Sequence, residues 1–493
     1  MIKLLHDEAR RFIGIKSISS DGNEELANHV ISLMHGRGMK TILQHVMHSL
    51  DGVTKRQFNA IGILGDPLVD KKTRKGILLV SHLDTCSPGI SSNWGGGAGD
   101  PFLATTRQGS IYGLGVADAK LDFLCKLHAI EKMRERKLRM PVYLVGTCGK
   151  ELGMFGSRYL IKSLVLNPKH IVVGDPTGLK TVYAHRSMCV MRVSVGYQLV
   201  TRDAKGFNRR IDLHSYGKGT HSADPSLGIN AIEQILKFLS VTVDSGFDVR
   251  FTSLAGGDLW NKVPDYAKAE FYLTSHQFED FKRFFKETVQ SCGGESAFRV
   301  DFGGLGDMGV RFLPDAVFSC VSNVVAFFSN MAEGFRGASD DGFVPPHSTV
   351  NFSRLQLKQG CVELYFDFRL SGRQIEELDK QIQLGIKSIA SRYSSLNVSS
   401  AMELATPGLE TTPKQDLPRL CGEAMAAAGI EPGFSKIAAE SEAALYSMAG
   451  YDAVSFGPGA LLGNSRSPDE HIQVDQLEKA ALFYEKLIER TCL

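Results

Sequence analysis

Three short apolar runs mark the first third of the chain: "KGILLVSH" (75–82), "MPVYLVGTC" (140–148) and "KHIVVGD" (169–175). Each is rich in Val, Ile and Leu and ends in a polar cluster, as strands buried on both faces do. Between them residues 118–136 carry Leu121, Leu124, Leu127 and Ile130 at helical spacing. Strands alternating with helices predict an α/β fold, a mostly parallel sheet covered by helices. The strand signature returns in "DAVSFGPG" (452–459), and an amphipathic helix follows at 474–490. Residues 1–182 and 405–493 are therefore expected to form one domain. The opening "MIKLLHDEARRFIGIKSISS" places Asp7, Glu8, Arg10 and Arg11 within its apolar pattern, which reads as an amphipathic helix rather than a secretory signal.

The middle of the chain, 183–404, has a different rhythm. "VRFTSLAGGDLWNKVPDYAKAEFYLTSHQFEDFKRFF" reads strand, loop, strand, helix, and "VNFSRLQLKQGCVELYFDFRLSGRQIEELDKQIQLGI" repeats that order about 100 residues later. An apolar helical pattern precedes each, "GINAIEQILKFL" and "VFSCVSNVVAFFSNM". An inserted, internally duplicated α+β domain is expected, and convergent alternation is the competing account. Gly and Pro punctuate the connection at 293–349.

A chain of 493 residues is too long for one core. Its net charge of +2 offers no basic field for nucleic acid. No apolar run reads as long enough to span a bilayer. The nine cysteines are scattered without paired spacing, which points to reduced thiols and a cytoplasmic location. A small-molecule ligand is expected, with neither nucleic acid nor membrane as partner, in a monomer or homodimer.

Open α/β sheets bind ligands at the carboxyl ends of their strands. Here those ends carry His82 and Asp84 in "SHLDT", Asp118 in "YGLGVADAK" at the cap of the next helix, Glu151 after the second run and Asp175 after the third. One imidazole among carboxylates suits zinc, and an aspartate two residues from a histidine can orient its ring. A single aspartate at a helix start is commonly only a cap; four acids at successive strand ends are harder to explain that way.

The stretches "SHLDT", the Trp94 and "DPF" of "NWGGGAGDPF", "GSIYGLGVADAK", "GKELGMFGSRYL", "VVGDPT", "GKGTHSADPSLGINAI", "GGDLWNKVP", "FDFR", "SEAALYSMAGYDAVSFGPG" and "SPDEH" follow one another along nearly the whole chain. Together they resemble the zinc-dependent family of acetylornithine deacetylase, succinyl-diaminopimelate desuccinylase, aminoacylase and the related dipeptidases and carboxypeptidases. The ending is most similar to acetylornithine deacetylase. The doubled insert is more similar to the monomeric dipeptidases, whose large lid imitates a dimer. The resemblance implies amide hydrolysis with two zinc ions, a bridging carboxylate, a water-activating glutamate and a lid histidine for the oxyanion. Carried over by motif, His82, Asp118 and Asp175 would hold one metal, with Asp118 as the bridge. Asp84 would orient His82, Glu151 would serve the second metal and His221 would be the lid histidine.

Two positions depart from the family pattern. Its "Asp-Glu-Glu" turn is Gly149-Lys150-Glu151 here, so Lys150 stands in the place of the base. The histidine ligand expected before "Pro-Asp-Glu" is Arg466, with His471 five residues on as an alternative. Arginine has no lone pair for a metal, and lysine acts as a base only when burial or a nearby cation lowers its pKa. Asp84, Asp118, Glu151 and Asp175 against Lys150 and Arg466 leave −2 without metal, 0 with one divalent ion and +2 with two. At most one zinc is therefore expected, with Arg466 replacing the second ion by pairing with Glu151 and Asp118.

Three readings follow: a weakened single-metal amide hydrolase with Lys150 or Glu151 as base, a non-catalytic relative that binds an acylamino acid or peptide or serves as an interaction subunit, and a salt-bridged structural remnant. Arg369 in "FDFRL" is a candidate for a substrate carboxylate, against an ion pair with Asp367. Asn261 in "WNKVP" is a candidate at the lid hinge, against a turn residue. Glu442 resembles a family position near the crevice, against a helix-start acid. His185 and Arg186 mark the entry to the insert, His128 suits packing or surface, and Trp94 and Phe102 suit a crevice wall or core.

Overall fold

The computed structural model describes residues 2–50, 53–66, 74–88, 94, 99–163, 166–198, 206–220, 222–305, 310–372, 375–461, 463–465 and 467–493. The chain divides into two compact units, Met1–His185 with Pro407–Leu493, and Arg186–Thr406.

The first unit is built on a nine-stranded sheet. Its centre runs Val142–Thr147, Ile77–His82, His170–Val173, Asp452–Ser455, all parallel. These are the apolar runs of the sequence, and the three from the first third are buried at every position. The flanks depart from the expected parallel pattern. Lys40–Leu50 and Val53–Leu64 form an antiparallel hairpin on one side, and Thr181–His185 pairs antiparallel with Asp452–Ser455 on the other. Hairpins close with short turns, so they extend a sheet without the crossover helix a parallel strand requires.

The helix Lys120–Glu131 is buried almost all round, packed with Val474–Cys492 over the sheet. A helix apolar on only part of its surface must pair its other groups when so enclosed. Lys126 donates to Asp122 (2.6 Å), the Val80 carbonyl (2.5 Å) and the Ser81 hydroxyl (3.0 Å). Asp122 in turn accepts from Ser81 (2.7 Å) and from the Tyr484 hydroxyl (2.6 Å). This polar knot ties helix, central strand and C-terminal helix together directly behind His82.

The second unit holds an eight-stranded antiparallel sheet, and its topology resolves the internal repeat. Phe207–Tyr216, Arg250–Gly256, Tyr266–Thr274 and Phe298–Leu305, with helices Ala231–Asp244 and Phe278–Cys292, lie in the spatial order fourth, first, third, second. Ser187–Gly196, Thr349–Lys358, Cys361–Leu370 and Asn397–Thr406, with helices Asp315–Phe335 and Ile375–Ala390, repeat that order. The two second strands meet at Gly256 and Leu355 and join the copies into one sheet. One copy is inserted after the first strand of the other, which is why the sequence displays only the strand–strand–helix portion as a clean repeat.

One expectation fails here. Among the described residues, the Asp315–Phe335 helix has the length and hydropathy to cross a membrane. In the fold its Val317, Phe318, Cys320, Val321, Val324 and Phe328 are buried in the second unit's own core. All nine cysteines are free thiols, and most are buried.

Candidate active site

The parallel pairing of Ile77–His82 with Val142–Thr147 sets His82 opposite Thr147. The chain beyond each strand end therefore enters the same space. After Thr147 it turns sharply through Gly149 at φ +64°, where a side chain's Cβ would also crowd Gln57 and Phe155. The turn delivers Lys150 and Glu151 beside Asp84.

Asp84 does something other than expected. The His82 Nδ1 lies 2.9 Å from the Asp84 main-chain carbonyl but 3.8 Å from its carboxylate. The carbonyl orients the ring. The carboxylate instead accepts the Lys150 N–H and the Glu151 N–H, each at 3.2 Å, and the Ser19 hydroxyl at 2.5 Å. Asp84 thus fixes the turn that carries Lys150 and Glu151, a role that spacing alone does not reveal.

A carbonyl only accepts, so Nδ1 carries a proton and Nε2 faces Asp118 Oδ1 at 2.9 Å. Burial and the Lys150 charge pull the imidazole pKa down. The Asp118 hydrogen bond and the charges of Asp118 and Asp84 outweigh them and raise it to about 9. Asp118 does not cap the following helix, where the N-cap is Ala119 without a side-chain bond. Its side chain meets His82 and Lys150, and its main chain is held from elsewhere. Glu470 of "SPDEH" accepts the Ala117 N–H (2.9 Å) and the Asp118 N–H (3.2 Å). Burial pushes the Glu470 carboxyl up to about 7. Nothing in the local sequence of "SPDEH" marks Glu470 for this role, because its partners lie about 350 residues away.

The result is a cluster of His82, Asp118 and Glu151 whose ligand atoms lie within 4.8 Å of one another. The Lys150 ammonium sits against it, 3.1 Å from Glu151 Oε1 and 3.5 Å from Asp118 Oδ1. Asp175 stands outside this group and accepts the Ser441 hydroxyl at 2.5 Å. Ser441 also gives its N–H to His185 Nε2 (3.2 Å), which makes His185 a buried acceptor. Glu442 begins the short Ala443–Met448 helix, but its carboxylate is buried and receives Thr147 and Ser157 hydroxyls.

The model for peptidase family M20/M25/M40 matches residues 78–490, most of the chain. The chain belongs to that family. Acetylornithine deacetylase from Proteus mirabilis is 28% identical over 230 residues, 45% of this chain and 50% of the relative, so the chain spans about half the length of that curated relative. Among solved structures, aminoacylhistidine dipeptidase from Vibrio alginolyticus superposes with a TM-score of 0.64 at 16% identity, covering 99% of this chain and 96% of the other. The M20 family metallo-carboxypeptidase Sso-CP2 from Sulfolobus solfataricus gives 0.59 at 18% identity over 98% of each chain. These structures share the M20 fold.

M20 peptidases are typically metal-dependent, and the donor chemistry of His82, Asp118 and Glu151 fits a metal ion. His82 offers Nε2 while its Nδ1–H is anchored on a carbonyl, the usual arrangement of a ligating imidazole. Asp118 and Glu151 supply oxygen donors.

Two residues of interest, His221 and Arg466, lie outside the described residues. His471 is not part of the ligand group; its ring stacks on Tyr112 and its Nδ1 meets the Asp469 carbonyl. Within the second unit Arg369 is fully buried, paired with Asp367 at 3.1 Å and bonded to the Ser222 hydroxyl. That is the ion-pair alternative to a substrate contact. Asn261 lies in a turn, where its carbonyl receives the Ser222 N–H. Arg186 is buried over the Phe343 ring. His128 closes the Lys120–Glu131 helix, Trp94 is buried, and Phe102 is half-buried beneath Lys16.

Proposed function

We propose that this protein is a metal-dependent hydrolase of amide bonds in acylated amino acids or small peptides, working through a single ion with a slowed cleavage step. The observation that carries this is the His82, Asp118 and Glu151 cluster at the strand ends of an M20 fold. The deacetylase and dipeptidase names among the relatives support both substrate classes. His82 and Asp118, with Glu151 or Asp175, would hold the ion, which when bound supplies a Lewis acid and lowers the pKa of bound water.

The chain's own residues account for the slowing. At the position that suits a general base stands an ammonium, which donates protons and accepts none. The nearby carboxylate, Glu151, is already paired with that ammonium. Loss of general-base assistance costs about 10²–10⁴-fold. With Asp175 completing the ion's ligands, Glu151 is the acceptor for a water proton, and Asp84 holds its main chain in place.

The test is turnover of a panel of N-acylamino acids and dipeptides by the zinc-loaded chain, His82→Ala and Lys150→Glu. Slow turnover in the parent, lost in His82→Ala and raised at least a hundredfold in Lys150→Glu, supports the reading. The pairing of Lys150 with both acids favours a second reading, a ligand-binding relative without catalysis. Saturable binding of the same compounds with no turnover in any variant would replace the first reading by the second.

A further inference from the structure

Resting on the single-ion reading above, we infer that the Lys150 ammonium is a resident cation of the centre: it holds Asp118 and Glu151 and excludes a second divalent ion from them. The ammonium is within hydrogen-bonding reach of both carboxylates. All three side chains are enclosed, at 7%, 3% and 10% exposure, so the charges meet with little water between them. Asp118 Oδ1 is shared, with the His82 Nε2 at 2.9 Å and the lysine at 3.5 Å. A carboxylate oxygen engaged by an ammonium has less charge to offer a metal.

The lysine is also fixed at its root. Its main-chain N–H and that of Glu151 are both bound by Asp84, which fixes the main chain from which the two side chains project. Lys150 itself makes the ion pairs to both acids.

The experiment counts zinc rather than turnover. The full-length parent, Lys150→Glu and Lys150→Met are stripped with chelator, titrated with zinc by calorimetry and then assayed for zinc per chain by plasma mass spectrometry after gel filtration. The parent is expected to hold one zinc and Lys150→Glu two. Lys150→Met keeps the stem and drops the charge; it should bind a second zinc at least tenfold more tightly than the parent does. Lys150→Met carries the test if circular dichroism shows Lys150→Glu to be unfolded. Two zinc ions in the parent, or no gain in either variant, overturns the resident cation. A parent holding none, with one gained in the variants, keeps the resident cation and removes the single-ion reading.

Discussion

Replacing Lys126 by Met should destabilise the first unit by about 3–5 kcal/mol, the cost of leaving one member of a buried ion pair without its partner. The stem volume is nearly kept, so the loss is electrostatic. The ammonium now satisfies Asp122, the Val80 carbonyl and Ser81, and its side chain is 0% exposed. Burial holds the Lys126 pKa below its ordinary value despite Asp122 pulling it up. Without the ammonium, Asp122 keeps its bonds from Ser81 and Tyr484 but loses its counter-charge. The double variant Lys126→Met/Asp122→Leu removes both charges. It leaves the Ser81 and Tyr484 hydroxyls without that acceptor, about 1 kcal/mol each. Tyr484 retains the Phe456 carbonyl. The double variant should therefore be more stable than the single. The chain has two tryptophans, Trp94 in the first unit and Trp260 in the second. Urea unfolding followed by Trp94 fluorescence in a Trp260→Phe background reads the first unit alone. A loss below about 1 kcal/mol in Lys126→Met, or a double variant no better than the single, would refute the argument.

Three other outcomes follow from the same geometry. Gly174→Ala would place a Cβ 1.8 Å from Asp122 Oδ2 and 2.6 Å from Lys126 Nζ, so it should cost about 3 kcal/mol or more in the same unfolding assay. Asp84→Asn should leave the His82 ring protonated at Nδ1, because a main-chain carbonyl accepts that proton; nitrogen NMR of the zinc-loaded protein reads the tautomer, and a switch to Nε2–H would contradict the geometry. In chelator-treated protein His82 is held protonated, with its pKa raised from 6.5 to about 9. Its contribution is fully present below pH 6.5 and is lost as pH rises through 9, at most ~3 kcal/mol. Subtracting the stability profile of His82→Ala should isolate that decline, and a flat difference between pH 6.5 and 9 would count against it.

The central strands were legible because a strand buried on both faces has nowhere to put a polar residue until it ends. "ILLVSH" announces both the strand and the residue at its mouth. The antiparallel hairpin at 40–64 was harder to read: its alternation is mixed with buried Gln57 and Asn59. Those two polar groups find partners only in three dimensions, Gln57 on the Ser19 carbonyl and Asn59 on the Gly156 carbonyl. The site divides along the same line. His82, Asp118 and Glu151 follow from strand ends and turn chemistry. The residues that position them lie far away in sequence: Ser19 for Asp84, Glu470 for Asp118, Ser441 for Asp175. Each makes a hydrogen bond that no local pattern encodes. Arg369 and Asp367 show the reverse, since alternate residues on one strand share a face and their ion pair is readable from spacing alone.

The way the 149–151 turn is held explains how its chemistry changes without the scaffold changing. Asp84 grips the turn by two main-chain N–H groups, and Gly149 supplies its positive φ. The residue 150 side chain faces Asp118 and Glu151. An acid there adds a negative charge to a centre already rich in them and calls for more metal. A lysine supplies a positive charge and calls for less. It also opposes protonation of His82, since the Lys150 charge acts to lower the imidazole pKa. Ammonium and imidazolium thus meet at Asp118, and if the resident-cation proposal holds, the identity of residue 150 decides how much metal the centre takes.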